Sequence, residues 1–355
     1  MSGSSYGQLF KISTWGESHG AGIGVVVDGC PAGLPLTSSD IQKDLDRRRT
    51  GQSKVTTTRK ETDQVRILSG IFQGKTTGTP IGLWIENQDA DSSKYELIKD
   101  LYRPGHADFS YDMKYGFRDY RGGGRSSARE TAGRVAAGAI ARKLLKRKKI
   151  TVTGYTLQIG PHIAQKIDFK EIEKNIVRCP DKKVAKQMVD HILDARKRGD
   201  SVGGVIEIVA KGVPAGLGEP VFDRLDADLA KAMMCIPAVK GVEVGIGFSA
   251  AVLSGSECND PFIAKRKKIG VKSNNAGGIL GGISNGSDIV LRFVVKPTAS
   301  INQEQNTVDR NGKKSKIRVE GRHDPCVAPR AVPIGEAMAA ITLIDHLMRR
   351  EHSKL

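Results

Sequence analysis

The spacing of apolar positions changes period several times along the chain, and each change marks an element. Residues 6–20 begin as a short strand and end in a polar turn of Gly16, Glu17, Ser18, His19 and Gly20. Ile23–Val27 is a continuous apolar run closed by the turn Asp28–Gly33, the pattern of a buried strand. Ile41 and Leu45 form the apolar stripe of a helix over 37–49, which Thr37 and Asp40 can cap and Gly51 can stop. Residues 65–71 and 80–85 read as a hairpin, and residues 150–159 as a strand. A second helix runs from 127 to about 145, with Ser127 as N-cap and Glu130 reaching back to its N–H. Asp181 caps a third, whose Met188, Val189, Ile192 and Leu193 keep helical spacing until Gly199. Further on come strands over 241–253 and 288–296, a helix over 223–235, and an amphipathic helix over 334–350 after Pro333. Residues 86–120 lack periodicity, and a loop that long in a compact fold is functional or disordered. Residues 301–318 read as an exposed basic excursion.

One pattern recurs. GVVVDGCPAGL at 24–34 is echoed by GVIEIVAKGVPAGL at 204–217, each followed by a helix. A strand, a Pro-Ala-Gly-Leu turn and a helix occurring twice predict two related halves, roughly 1–200 and 201–355, within one domain.

With 355 residues the chain can bury a large core, and its net charge of +17 points to an anionic partner: nucleic acid, a membrane surface or a polyanionic small molecule. The lysine runs at 143–149, 265–268 and 313–316 read as solvated faces. Five scattered cysteines without a C-x-x-C pair argue against a disulfide framework and a zinc site, so no metal is expected. Without an apolar leader or an 18-residue apolar run, the chain reads as a reducing, cytoplasmic protein with no membrane span.

The densest chemistry lies in Arg118–Arg134, RDYRGGGRSSARETAGR. Gly122–Gly124 feed a helix N-terminus, a ready anion site, and Arg118, Arg121, Arg125, Arg129 and Arg134 stud the same stretch. The helix at 37–49 ends in Arg47, Arg48 and Arg49, which span enough of its circumference for one to face a pocket. Two tempting motifs fail on context. Gly20, Gly22 and Gly24 precede a strand rather than open a helix, so they are no dinucleotide fingerprint. Gly74-Lys75-Thr76 joins two strands and lacks the first P-loop glycine, Ser69 standing there. Cations held in tight turns suit a compact polyanion better than a nucleic acid, and His19 and His106 are the natural proton-transfer groups. His162 and His191 lack acidic or glycine-rich company and read as structural. The residues thus reach an enzyme acting on a multiply anionic, phosphorylated small molecule, without fixing the reaction.

GESHG at 16–20, RPGHAD at 103–108, RSSARET at 125–131, NNAGGILGGISNG at 274–286, KPTAS at 296–300 and GRHDPC at 321–326 resemble the signatures of the chorismate synthase family, in its order. The resemblance covers essentially the whole chain and lacks a flavin-reductase-like extension. It implies an α+β fold, a β-α-β sandwich with internally duplicated halves. It implies conversion of 5-enolpyruvylshikimate 3-phosphate to chorismate by anti-1,4-elimination of phosphate, with reduced FMN required and its reductant supplied externally. A homotetramer, an external flavin reductase and no nucleic-acid or membrane partner are implied as well.

Carried over by motif, His19 looks like the acid for the departing phosphate. His106 looks like the group that protonates the reduced flavin or stabilises its charge, and Asp324 is similar to the carboxylate that assists proton removal from it. Ser18, Arg48, Lys54, Arg103, Ser127, Arg129, Arg134 and Arg322 match substrate-binding positions. Arg125, Ser126, Ser127, Pro237, Ala238, Gly281, Lys296, Pro297, Thr298, Ala299, Ser300 and Arg322 match cofactor-binding ones. Two positions depart from the family pattern. Lys54 stands where arginine is common, keeping charge without the fork, and Pro237 stands where asparagine is common, leaving only backbone contact.

Overall fold

A computed structural model describes residues 3–57, 59–89, 91–265, 268–321 and 323–353. Arg322 and the middle of the 265–268 lysine run lie outside the described residues.

The first half of the chain forms β1 (Ser5–Tyr6), β2 (Lys11–Gly16), β3 (Gly22–Asp28), α1 (Ser38–Arg48), β4 (Val65–Ile67), β5 (Ile81–Glu86), α2 (Asp108–Tyr115) and α3 (Thr131–Arg147). The second forms β6 (Thr151–Ile159), β7 (His162–Ile163), α4 (Lys182–Lys197), β8 (Gly204–Lys211), α5 (Leu225–Met234), β9 (Val239–Val244), β10 (Ile289–Val295) and α6 (Ala328–His352). Two antiparallel sheets result, ordered β1-β2-β3-β5-β4 and β7-β6-β8-β10-β9. Alternation sets their inner faces: Ile81, Leu83 and Ile85 of β5 point inward, as do Ile289, Leu291, Phe293 and Val295 of β10. Helix α3 lies on the first sheet with α1 beside it, α6 lies on the second with α5 beside it, and α3 packs on α6. The fold is α+β, helices sandwiched between sheets. At the helix crossing a Cβ on Gly138 would stand 2.3 Å from the Ala337 Cβ, so glycine permits the contact.

The two sheets share part of their topology. Strands β2-β3-β5-β4 and β6-β8-β10-β9 run in the same order with antiparallel pairing throughout, and α1 and α5 follow β3 and β8, although β7 and α4 intervene between β6 and β8.

Several local expectations need correction. Ser127 accepts from the Arg129 N–H in a 3₁₀ turn, and α3 starts only at Thr131. Glu130 does not reach back to Ser127; its carboxylate takes the Thr14 hydroxyl at 3.0 Å and the Arg134 guanidinium instead. The 86–120 stretch carries a single turn at Ser93–Glu96 and then α2, which Gly116 ends in the left-handed conformation. The strand expected over 241–253 stops at Val244 and gives way to a 3₁₀ segment, Gly247–Val252. The excursion at 301–318 is a hairpin of Gln305–Val308 with Lys314–Ile317. The last helix begins at Ala328 and carries Pro333 inside it. It is buried on nearly every side rather than amphipathic. Its segment Ala328–Glu351 is long and apolar enough to cross a membrane, but lies 94% buried as the central helix of the sandwich.

Candidate active site

Loops from both halves meet around one cleft of about 1540 Å³. The turn after β2 brings Ser18 and His19, and the turn before α2 brings Arg103 and His106. The glycine loop brings Arg125, Ser126, Ser127 and Arg129, and α3 adds Arg134. The end of α5 supplies Pro237 and Ala238, the exit from β10 supplies Lys296 to Ser300, and the approach to α6 supplies Asp324. Arg48 reaches the floor from the last turn of α1. Lys54 and Gly281 do not line the cleft: the Lys54 carbonyl accepts from Arg196 at 3.0 Å, and Gly281 sits at the tip of the small hairpin Ile279–Ser284. Arg121 does not line it but pairs with Asp119, which does.

The glycine loop holds both histidines. Gly122 and Gly123 have φ of +63° and +90°, which L side chains rarely adopt. A Cβ on Gly122 would stand 2.2 Å from His19 Cε1, and one on Gly123 would stand 2.8 Å from His106 Cε1. The consecutive glycines are therefore the surface against which the two rings rest.

His106 Nδ1 lies 2.9 Å from Asp108 Oδ1, and Arg103 clamps the same carboxylate through Nε and Nη2 at 2.8 Å each. Burial pushes the Asp108 carboxyl up, but its bonds to Arg103 and His106 outweigh that and hold it well below the usual range. An ionised carboxylate only accepts, so His106 carries its proton on Nδ1 and keeps Nε2 as an acceptor. Burial and Arg103 lower the His106 pKa against the pull of Asp108. Burial and Arg59 likewise lower that of His19, whose ring meets the edge of Tyr95 at 5.2 Å.

The lining holds eight arginines and three lysines against seven carboxylates among the described residues. Most of the arginines are committed. Arg48 is fully buried and donates to Asp63, Thr131 and the Ala128 carbonyl. Arg129 donates to Asp63, Asn87 and the Glu86 carbonyl. Arg134 pairs with Glu130, and Arg330 pairs with Asp324, whose other oxygen accepts from the Thr57 N–H at 2.9 Å. Arg125 differs: its bonds go to the Gly16 and Thr14 carbonyls and the Thr14 hydroxyl, with no carboxylate partner among the described residues. Lys296 donates to the Gly105 carbonyl, and burial with Lys240 nearby lowers its pKa. Arg125 and Lys296 are thus charges still available to an anion. Between them, Ala238 holds a left-handed φ of 72° while its carbonyl accepts from the Lys296 N–H, a strained turn fixed against the end of β10.

A family model for chorismate synthase matches residues 10–348. The chain belongs to the chorismate synthase family. A chorismate synthase from Chloroflexus aggregans is 59% identical over 356 residues, covering all of this chain and 98% of that one. One from Methanosarcina barkeri is 58% identical over 354 residues, 98% of this chain and 97% of its own. A solved structure titled "Crystal Structure of Chorismate Synthase" superposes with a TM-score of 0.77 at 33% identity, covering 97% of this chain and 93% of that one. The protein is accordingly a carbon–oxygen lyase, and the cleft is its candidate active site.

Sequence reasoning passed over several residues here. His323 lines the cleft with a buried Nε2 that has no hydrogen-bond partner among the described residues, and burial together with Arg103 pushes its pKa down to about 4. It sits inside GRHDPC between Arg322 and Asp324, and nothing in the spacing sets it apart from them. Arg59, which lines the cleft, pairs with Glu61, and Asp63 pairs with Arg129; the stretch 59–63 carries no motif or apolar period that singles these residues out.

Proposed function

We propose that this chorismate synthase eliminates phosphate from 5-enolpyruvylshikimate 3-phosphate in the anti-1,4 sense, with reduced FMN required in the same cleft. The observation that carries the reading is a cleft too large for one ligand, faced by cations that carboxylates leave unpaired. A volume of about 1540 Å³ exceeds the ~300–1,000 Å³ of single-ligand pockets. Two phosphates and two carboxylates entering together need charge-assisted bonds to offset their desolvation; Arg125 and Lys296 line that space without a carboxylate partner among the described residues, and Arg103 and Arg134 line it paired with Asp108 and Glu130.

The residues present fit the flavin. Arg125 and Lys296 offer uncompensated charge to a phosphate, Ser126 and Ser300 add hydroxyls, and Pro237-Ala238 gives an apolar wall with a fixed backbone. When bound, reduced FMN supplies transient electron donation that assists departure of phosphate from a ring whose lost hydrogen no carbonyl acidifies. The chain's own part is binding, orientation and proton handling. His19 is kept neutral by burial and Arg59, and the negative charge of a bound phosphate raises its pKa again, so a proton is held where phosphate leaves. His106, its tautomer fixed by Asp108, keeps Nε2 free to accept a hydrogen bond from a bound flavin, and the Arg330-paired Asp324 adds a carboxylate to the same lining. The working form is read as a homotetramer served by a separate flavin reductase. Exposed Phe248, Val252, Phe262 and Ile269 offer apolar surface for subunit contact, which sedimentation velocity tests.

The deciding experiment is an anaerobic assay with dithionite-reduced FMN and 5-enolpyruvylshikimate 3-phosphate, following chorismate and phosphate together. Equal release of both, only with reduced flavin, is expected. Absence of product when both ligands are shown to bind would end the reading.

A further inference from the structure

Asp63 occupies an unusual position. It is fully buried, has a left-handed φ of 48°, and places one carboxylate between two cleft arginines. Oδ2 accepts from Arg48 Nη1 at 2.9 Å, and Oδ1 accepts from Arg129 Nη1. Residues outside glycine persist in that region of backbone space only when the surroundings hold them there, and such outliers cluster at functional sites. Here the conformation sets the carboxylate against Arg48 and Arg129, both of which line the cleft. Burial alone would neutralise it, yet the two guanidiniums outweigh burial and hold its pKa below the usual range. Each arginine is tied at its far side as well: Arg48 by Thr131 at 3.2 Å and Ala128 at 2.7 Å, Arg129 by Asn87 at 2.7 Å and Glu86 at 3.1 Å.

We propose that Asp63 is the positioning residue of the substrate half of the cleft, fixing Arg48 and Arg129 at the spacing at which they receive an anionic substrate. The two guanidiniums would otherwise repel each other in a dry site. One shared carboxylate lets them stand side by side and leaves the group with a single net positive charge. Five donors per guanidinium exceed the three used here on each, so N–H groups remain for a ligand. This inference rests on the reading above that Arg48 and Arg129 serve substrate rather than flavin.

The test measures the affinity of the full-length protein for 5-enolpyruvylshikimate 3-phosphate by calorimetry and for oxidised FMN by fluorescence quenching. Variants are Asp63→Asn, Arg129→Gln and the two combined. Asp63→Asn is expected to weaken substrate binding by about 10- to 100-fold, the range for losing a bond to a charged group, while FMN affinity stays within about twofold. Because Asp63 acts through Arg129, the double variant should lose little beyond the worse single one. If Arg129→Gln leaves substrate affinity unchanged, the placement of substrate is what fails. If Arg129→Gln weakens binding but Asp63→Asn does not, or if their effects add fully, the positioning role is overturned. Should Asp63→Asn fail to fold, the near-isosteric Thr131→Val removes the Arg48 Nε contact together with the bond the Thr131 hydroxyl donates to the Ala128 carbonyl, and leaves Asp63 in place. It should weaken substrate binding by about 3- to 10-fold with FMN affinity intact, and an unchanged substrate affinity would overturn the proposal.

Discussion

Replacing Gly122 by alanine tests whether the glycine loop is the surface that sets His19. The added Cβ would fall 2.2 Å from His19 Cε1 and 2.4 Å from Nδ1, where ordinary contact begins at 3.4 Å. The ring must therefore retreat by more than about 1 Å, or the loop must move by as much, and a displacement of that size costs on the order of 100-fold in rate. Alanine at a φ of +63° also carries backbone strain of about 1–2 kcal/mol, which any fair comparison must remove. Gly74 supplies the control: its φ is +72°, nothing lies within 4 Å of its Cβ position, and it does not line the cleft. Gly74→Ala and Gly122→Ala should thus lose similar melting temperature, while only Gly122→Ala loses turnover. Assays would follow chorismate at saturating reduced FMN and substrate, with melting by circular dichroism. Gly122→Ala turnover within about threefold of the Gly74→Ala value would refute the steric argument.

Gly138→Val forces a branched side chain into the crossing of α3 and α6, where even a Cβ meets Ala337 at 2.3 Å; urea unfolding should show a loss of about 1–3 kcal/mol or more. Asp345→Ala strands the Gln8, Leu9 and Phe10 N–H groups, which donate to one carboxylate oxygen at 2.7–2.9 Å, and should cost at least ~3 kcal/mol in the same measurement. For pH dependence the sign follows from His323, whose folded pKa of about 4 lies below the ordinary ~6.5. The unfolded chain binds its proton first, so the stability tied to its neutrality is present above pH ~6.5 and is lost as pH falls toward 4. His323→Gln should flatten the decline in melting temperature across that window, and an unaltered slope would remove the argument. His19→Ala and His106→Ala should each lower turnover by about 10²- to 10⁴-fold in the chorismate assay if these groups move protons.

The parts of the fold that local periodicity encodes were legible in the chain. Thr37 and Asp40 form the capping box at α1, Asp181 caps α4 through the Lys183 and Val184 N–H groups, and the echo at 24–34 and 204–217 falls on β3 and β8, which hold the same place in the shared order of the two sheets. What failed was decided by distant partners. Glu130 is drawn from its expected cap by Thr14, more than a hundred residues away, and by Arg134 one turn along. Pro333 looks like a stop, yet α6 runs through it because the helix is packed between sheets and buried on all sides, where tertiary contacts offset the lost hydrogen bond.

Charge was the least legible property, because a count of arginines does not say which of them remain to be neutralised. In Arg118–Arg134 the sequence shows five equal candidates. In the fold, Arg118 is spent on Asp112 and the Lys99 carbonyl, Arg121 on Asp119, Arg129 on Asp63 and Arg134 on Glu130, while Arg125 is held among the described residues by neutral oxygens alone. A buried arginine with a carboxylate partner offers a ligand direction and spare N–H groups; one pinned by carbonyls also offers its full charge in a site of low dielectric. The two kinds should therefore differ in how salt affects them. Anion binding through Arg125 should weaken with ionic strength in proportion to its uncompensated charge, and Arg125→Gln should flatten the salt dependence of FMN affinity. Replacing the one-to-one pair Arg134 and Glu130 together by glutamine should lower affinity for substrate with little change in salt dependence, since that pair carries no net charge. If both variants flatten the salt dependence alike, the division between neutralised and available arginines does not describe this cleft.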